Sequence, residues 1–440
     1  MSVIRQGLES ADLDVPVVLP TLNLDFANSQ SLDKRITFSR GSIGTRVNRN
    51  GLIETVGVNQ PRFDFDPISG ECKGLLIEES RTNYWRGTQT GGGTGTVSDG
   101  TTTGADGVTA KKFVPTLGSA AFPGLSNYTQ YSIPVGSQVT GGAVDISFSG
   151  YFAAIGTGLY VPDIVIAIGA SGSNYIFAEL VPDLTNGNIV SKGLAGFSEI
   201  IAPQITLMPF GMYKVTWSVR YTQGATIRNT INFGIQCRRK NSPGSATGTY
   251  YADGVNGFQY SCIQYEIGAF PTSYIPTTSI AVTRSADNAS MTGTNFSSWY
   301  NPTEGSIYCS YNIQQNIDTI TRLIFRFDDL TTNNRIGYYD RTSNNPQFRF
   351  EYIDGRALST GLPDWKIQNN KIACSITSQN SKFSTNGVIT NLNTIKTIPA
   401  LSRAFIGNDS NVTSYLNGTI AKFTYYSKAL SPAQLQYLTQ

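Results

Sequence analysis

The sequence predicts an all-β fold: an N-terminal module, then two antiparallel β-sandwich domains, then a short C-terminal helix. Three observations carry this. Burial follows a two-residue period in several runs, short runs are punctuated by Gly, Asn and Ser, and one helix-start signature stands near the C-terminal end. Tyr213, Val215, Trp217, Val219 and Tyr221 alternate with Lys214, Thr216, Ser218 and Arg220. Leu323, Phe325 and Phe327 alternate with Arg322, Ile324, Arg326 and Asp328, and Phe348, Phe350 and Tyr352 with Gln347, Arg349 and Glu351. Successive side chains of a strand point to opposite faces, so each run reads as a strand with one wet and one buried face. Such strands stack as antiparallel sheets face to face.

The elements follow in order. Gly87 to Gly107 holds Gly, Thr, Ser and Asp with little to bury, which reads as a linker or long loop. Pro271 to Gly293 is a second punctuated stretch, where two prolines favour extended backbone and oppose a central strand. Cutting there gives segments 1–85, 86–284 and 285–440. Trp299 stands just before the body of the third segment and is expected to pack between domains or against a neighbouring subunit. Asn386-Gly387 is a two-residue hairpin turn, since both central positions need positive φ. Ser431-Pro432-Ala433-Gln434 supplies an N-cap, a proline at the first helical position and a capping-box glutamine, so a helix of about two turns starts there.

Composition excludes several chemistries. The 440 residues contain no histidine, which removes Ser-His-Asp and Cys-His catalysis and histidine metal ligation. Five cysteines (Cys72, Cys237, Cys262, Cys309, Cys374) are scattered without CxxC spacing and read as reduced core residues from a reducing compartment. A net charge of +3 is too small for a nucleic-acid face, and Arg238-Arg239-Lys240 reads as a solvated turn. The N-terminal residues show no apolar signal region, and no stretch reaches the roughly 20 apolar residues of a membrane span, so a soluble chain or assembly is expected. Gly91-Gly92-Gly93 has no helix pattern after it and is linker rather than phosphate cradle.

Four motifs occur in order in the first segment: Arg35-Ile36-Thr37-Phe38-Ser39-Arg40, Asn50-Gly51-Leu52-Ile53, Pro61-Arg62-Phe63-Asp64-Phe65-Asp66-Pro67 and Gly74-Leu75-Leu76-Ile77-Glu78-Glu79-Ser80-Arg81-Thr82-Asn83. This set resembles an N-terminal module of tailed-bacteriophage virion proteins, in tail-fibre-like or head-associated chains. The stretch Asp99 to Gly107 is similar to the opening of a carbohydrate-binding-module-like jelly roll, which closes here in Gln264-Tyr265-Glu266, Thr272-Ser273-Tyr274-Ile275-Pro276-Thr277 and Thr283-Arg284-Ser285-Ala286-Asp287. Leu416 to Phe423, with Tyr425 to Ser431, resembles the end of a concanavalin A-like or laminin-G-type sandwich.

The resemblance implies a non-enzymatic structural protein of a tailed-phage virion, assembled in the host cytoplasm, with segment 1–85 as an attachment and oligomerisation module. It implies a fibre or spike-like appendage that touches host surface glycans, in contact with other virion proteins and homo-oligomeric, a trimer by analogy. A head-decoration protein is the alternative, and a polysaccharide-degrading tailspike the next. No cofactor, metal site, nucleic-acid partner or membrane insertion is expected. Sugar binding needs an aromatic platform beside planar polar groups. In the third segment Tyr338, Tyr339, Asp340 and Trp365 are the candidates. No catalytic residues are assigned: Glu78-Glu79 and Asp328-Asp329 are adjacent pairs, and adjacent strand residues face apart. Asp328 or Asp329 with loop carbonyls would be the place for calcium, but no EF-hand-like run supports one.

Overall fold

The computed structural model describes residues 18–86, 95–117, 133–134, 142–169, 175–222, 230–240, 252–314, 322–331, 334–342, 346–352, 356–361, 369–378, 381–391, 398–409 and 414–440, with backbone alone for 133–134, 175, 340–342, 346–361 where described, and 391. The chain is all-β, with antiparallel pairing throughout and a short C-terminal helix.

The middle of the chain is a two-sheet sandwich. One sheet runs in the order Phe197–Leu207, Tyr213–Thr222, Ala143–Ile155, Gly257–Ile267, Thr109–Pro115, Gly95–Thr103. The facing sheet runs Ile133–Pro134, Thr230–Arg239, Tyr160–Gly169, Tyr175–Pro182, Ile189–Leu194. Their inner faces share one aromatic-rich core in which the Tyr265 ring stacks on Phe233 at 4.6 Å and meets Phe148 at 4.8 Å. Trp217, fully buried, sits in the same core and donates Nε1–H to Glu199 at 3.2 Å.

The second sandwich is built from both ends of the chain. Its first sheet runs Val388–Asn391, Lys382–Thr385, Asn370–Ile376, Gly305–Ile313, Gly418–Tyr426, Cys72–Ile77, Phe63–Phe65. The last strand, Gly418–Tyr426, has Gly305–Ile313 on one side. On its other side it pairs with Leu22–Asp25 through residues 422–425 and with Cys72–Ile77 through residues 418–420. The facing sheet starts with Thr37–Ser39, which pairs with Asn288–Thr292, and continues through Arg403–Ile406, Arg322–Asp328, Arg335–Thr342, Pro346–Tyr352 and Arg356–Gly361. Leu22, Leu24, Phe26, Phe63, Leu75 and Ile77 therefore share a core with Phe325, Phe327, Phe423 and Tyr425.

Gly74 permits this junction. Its φ is +102°, and a Cβ there would lie 2.0 Å from the Ile420 carbonyl oxygen and 2.7 Å from the Ala421 Cα. Both are backbone atoms, so no side chain can swing aside. Gly74→Ala is expected to destabilise the chain by on the order of 3 kcal/mol, since the left-handed backbone alone costs about 1–3 kcal/mol in a residue with a Cβ. The urea midpoint of the variant measures it, and an unchanged midpoint would show that the two strands do not meet there.

Several local expectations hold, and others are corrected. The C-terminal helix is Pro432–Thr439, and Ser431 and Gln434 form the capping box, with Leu435 fully buried. Asn386 and Gly387, with φ of 45° and 86°, turn Lys382–Thr385 into Val388–Asn391. All five cysteines are free, and Cys72 alone is only half-buried. The stretch read as a linker contains the strand Gly95–Thr103; residues 87–94 lie outside the described part. As an edge strand it pairs with Thr109–Pro115 and needs little apolar area of its own. Part of the second punctuated stretch is strand too, at Val282–Arg284 and Asn288–Thr292.

Arg238 does not lie in a solvated turn. It lies within the strand Thr230–Arg239, is 3% exposed, and pairs with Asp163 at 2.6 Å. Trp299 packs neither between domains nor outward but in the second sandwich, 5.0 Å from Tyr425 and 5.5 Å from Phe327. Its indole N–H is taken by the Asn295 carbonyl at 2.8 Å. The strand Arg322–Asp328 is buried on both faces rather than one, its Arg326 paired with Asp328 at 2.8 Å and Asp328 also with Arg403. A buried charge is tolerated when an opposite charge neutralises it, which sequence alternation alone does not reveal. The same holds for Thr216 and Ser218, both buried under a covered outer face of the middle sandwich.

Candidate functional site

The motif segments gather around one buried cluster of charges. Glu78 follows the strand Cys72–Ile77 and is fully buried. Its carboxylate meets Arg62 at 2.9 Å and Arg284 at 3.3 Å. It also accepts from the Ser273 N–H at 2.8 Å, the Ser273 hydroxyl at 2.6 Å and Gln314 Nε2 at 2.6 Å. Asp287, also fully buried, pairs with Arg40 at 3.1 Å and with Arg62, and accepts from the Glu78 N–H at 3.0 Å. Burial by itself pushes Glu78 up, but the Arg284 and Arg62 guanidinium groups outweigh it and hold the carboxyl well below the usual range. Residues from several motif stretches are thus linked in one cluster.

A second polar lattice lies beside the first. Asn83 donates to the carbonyls of Ile263 at 3.1 Å and Ile275 at 2.9 Å, and its Oδ1 accepts from the N–H groups of Trp85 and Tyr265. Gln264 accepts from the Ile275 N–H at 2.7 Å, and Glu266 from the N–H and hydroxyl of Thr272 at 2.8 and 2.6 Å. The Gln-x-Glu strand and the Thr-Ser-Tyr-Ile-Pro tail therefore bind each other. In both lattices the motif carboxylates and amides take buried partners, a pattern of fastening, while Arg62 Nε and Arg284 Nε make no hydrogen bond among the described residues.

A cavity of 240 Å³ opens next to these lattices. The hairpin Gly44–Val47 with Ile53–Val56 forms one wall; Ile53 packs on the outer face of the middle sandwich with Tyr151, Met212 and Cys262. Ser149 and Thr216 from that outer face, with the 271–274 segment and Gln314, supply polar lining. Four charged side chains reach it. Arg46 is held by Glu54 at 2.5 Å and Lys73 by Asp64 at 2.7 Å. The third cation, Lys214, is half-buried with its ammonium 6.0 Å from the centre of the Tyr151 ring. Burial and the nearby Lys73 hold Lys214 below the usual lysine range.

Two of the residues expected to hold sugar lie in the interior. Tyr338 is fully buried, its ring stacked 6.3 Å from Phe325 and 5.4 Å from Phe383. Tyr339 is 6% exposed. Asp340 lies on the strand Arg335–Thr342, opposite Arg322, with its backbone alone described, and Trp365 lies outside the described residues. Among the described residues no group of three or more acidic or cysteine side chains is arranged to hold a metal. Asp328 is taken by arginines, and Asp329 caps its own loop through Thr331 and Asn334. Lys214 escaped notice in the sequence because it occupies an ordinary outward position in an alternating strand; what singles it out is the hairpin folded over it from residues 44–56.

No family model matches the chain, and no curated protein matches it. Solved structures do align with it. The carbohydrate-binding module CBM40 of a Ruminococcus gnavus IT-sialidase, bound to α2,3-sialyllactose, is 16% identical over 32% of this chain and 83% of its own, with a TM-score of 0.27. A leech intramolecular trans-sialidase is 20% identical over 32% of this chain and 23% of its own, with a TM-score of 0.27. A Trypanosoma rangeli sialidase in complex with sialic acid is 12% identical over 63% of this chain and 53% of its own, with a TM-score of 0.28.

The expectation of a non-enzymatic chain is corrected on this point. The trypanosome structures that align with 62–66% of the chain are sialidases, which are enzymes. At these TM-scores the likeness assigns no activity to this chain.

Proposed function

We propose that the chain is a structural subunit of a tailed-phage particle, an appendage protein whose paired sandwiches present a β surface to host glycans. The observation that carries this reading is the buried arginine–carboxylate cluster. Arg40, Arg62 and Glu78 come from the phage-like motif stretches and Arg284 and Asp287 from the tail of the jelly-roll-like segment, and each is bound to another of the set. In this reading the motifs recur because they lock the start of the chain onto both sandwiches, giving one stiff body that transmits load from an attachment point to a distal face.

The test is location. Antibody-labelled particles from a lysate carrying the gene are expected to show label on tail-associated appendages. Label over the head faces would replace the appendage by a shell-decorating role, and particles without label would overturn the virion reading. Immobilised host polysaccharide is expected to retain the purified chain, and passage without retardation would remove the glycan part.

A further inference from the structure

The charges around the 240 Å³ cavity do not cancel. Glu54 neutralises Arg46 and Asp64 neutralises Lys73. Among the described residues no carboxylate forms an ion pair with Lys214: Asp64 acts on it from a distance while bound to Lys73, and its ammonium has the Tyr151 ring as its neighbour. A second group is also unmatched. Gln314 gives its Nε2–H to Glu78, while its Oε1 is buried and accepts from no donor among the described residues. One cation and one acceptor thus line the same space, beside the hydroxyl-bearing Ser149 and Thr216.

We propose that this cavity binds a single acidic sugar residue, with its carboxylate on Lys214, a ring hydroxyl donating to Gln314 Oε1, and its apolar face toward Tyr151. The inference rests on the glycan reading above and names the class of sugar. A partly desolvated ammonium is costly without a counter-charge, and one monoanion restores neutrality. A phosphate would bring a second charge, which one unpaired cation does not match while Arg46 is held by Glu54 and Lys73 by Asp64. An amino acid would bring an ammonium that finds no unpaired carboxylate among the lining side chains. A fatty acid would lay its chain against hydroxyl and amide groups and leave them unsatisfied. A pyranose carboxylate matches each wall: hydroxyls for polar groups, an apolar ring face for the aromatic, one negative charge for Lys214.

The test is calorimetric titration of the full chain with glucuronate, glucose and acetate. Glucuronate is expected to bind saturably and to weaken with added salt, whereas glucose and acetate bind at least about tenfold more weakly, the worth of one charged hydrogen bond. Lys214→Met is expected to remove the preference for glucuronate over glucose, Lys214→Arg to retain it, and Gln314→Leu to weaken glucuronate with Lys214 intact. Thermal melts show that each variant is folded. Equal affinity for glucuronate and glucose, equal affinity for glucuronate and acetate, or no heat with glucuronate on the wild-type chain would each overturn the proposal. Labelled particles without glucuronate binding would strike at this site alone. Glucuronate binding without labelled particles would strike at the appendage reading alone.

Discussion

Asp287→Ala is expected to destabilise the chain by about 3–5 kcal/mol, because removing one partner of a buried charge cluster leaves the others uncompensated. Arg40 and Arg62 both lose a carboxylate, and the Glu78 N–H loses its acceptor. All three groups are buried, so water does not replace what is lost. The measurement is chemical unfolding followed by tryptophan fluorescence, with Asp287→Asn as the companion, since it keeps the volume and one acceptor. A change under about 1 kcal/mol in Asp287→Ala, the size of an exposed ion pair, would mean that the cluster is not buried as described.

The same cluster sets an acid limit. The Glu78 carboxyl titrates well below its ordinary value of 4.5 in the folded chain. A carboxyl depressed in this way contributes stability that is fully present above its unfolded value and is lost as pH falls toward its folded one. Unfolding free energy is therefore expected to drop as the pH is lowered below about 4.5, and Glu78→Gln to flatten that limb. Asp163 acts in the opposite sense. Burial raises its carboxyl from 3.8 to about 7 against the pull of Arg238, so its ionisation weakens the fold as pH rises between those values. The expected profile is a maximum on the acid side of neutrality.

The second large effect concerns the third segment expressed alone. A chain of residues 285–440 is expected to be insoluble or to lack a cooperative unfolding transition. It would contain the last strand, Gly418–Tyr426, but neither Leu22–Asp25 nor Cys72–Ile77 to cover its open side. It would also lose Leu22, Leu24, Phe26, Phe63, Leu75 and Ile77 from a shared core. At about 1.5–3 kcal/mol for each large apolar side chain buried, the deficit is about as large as the whole 5–15 kcal/mol margin typical of a domain. An unprotected long edge also invites pairing with another copy. Sedimentation and near-ultraviolet circular dichroism decide it: a soluble piece with a fixed aromatic spectrum would refute the shared sheet. By contrast, the middle sandwich closes its core with its own two sheets and Trp85.

How much of this was legible depends on the range of the interaction. The strand Tyr213–Thr222, the Asn386-Gly387 turn and the Ser431 capping box are local, and neighbouring residues state them outright. The pairing of Cys72–Ile77 with Gly418–Tyr426 is not local. Nothing in a two-residue period says which strand lies beside which, and the order of the motifs along the chain does not show that Arg62, Glu78 and Asp287 touch. Polar positions misled for a related reason. Alternation marks Arg326, Asp328, Thr216 and Lys214 as facing away from a core, but it cannot reveal that another segment folds over that second face. The cavity exists only because such a cover is present.

The place of Gly418–Tyr426 between the early strands and Gly305–Ile313 also orders events in time. The leucines and phenylalanines of the first strands leave the ribosome long before their partner is made. At about 5–20 residues per second, synthesis of the intervening chain takes on the order of half a minute. During that interval a nascent chain carries sticky segments with no native mate, and every prematurely terminated product keeps them. The sheet cannot close over its earliest strands until its final strand has been made.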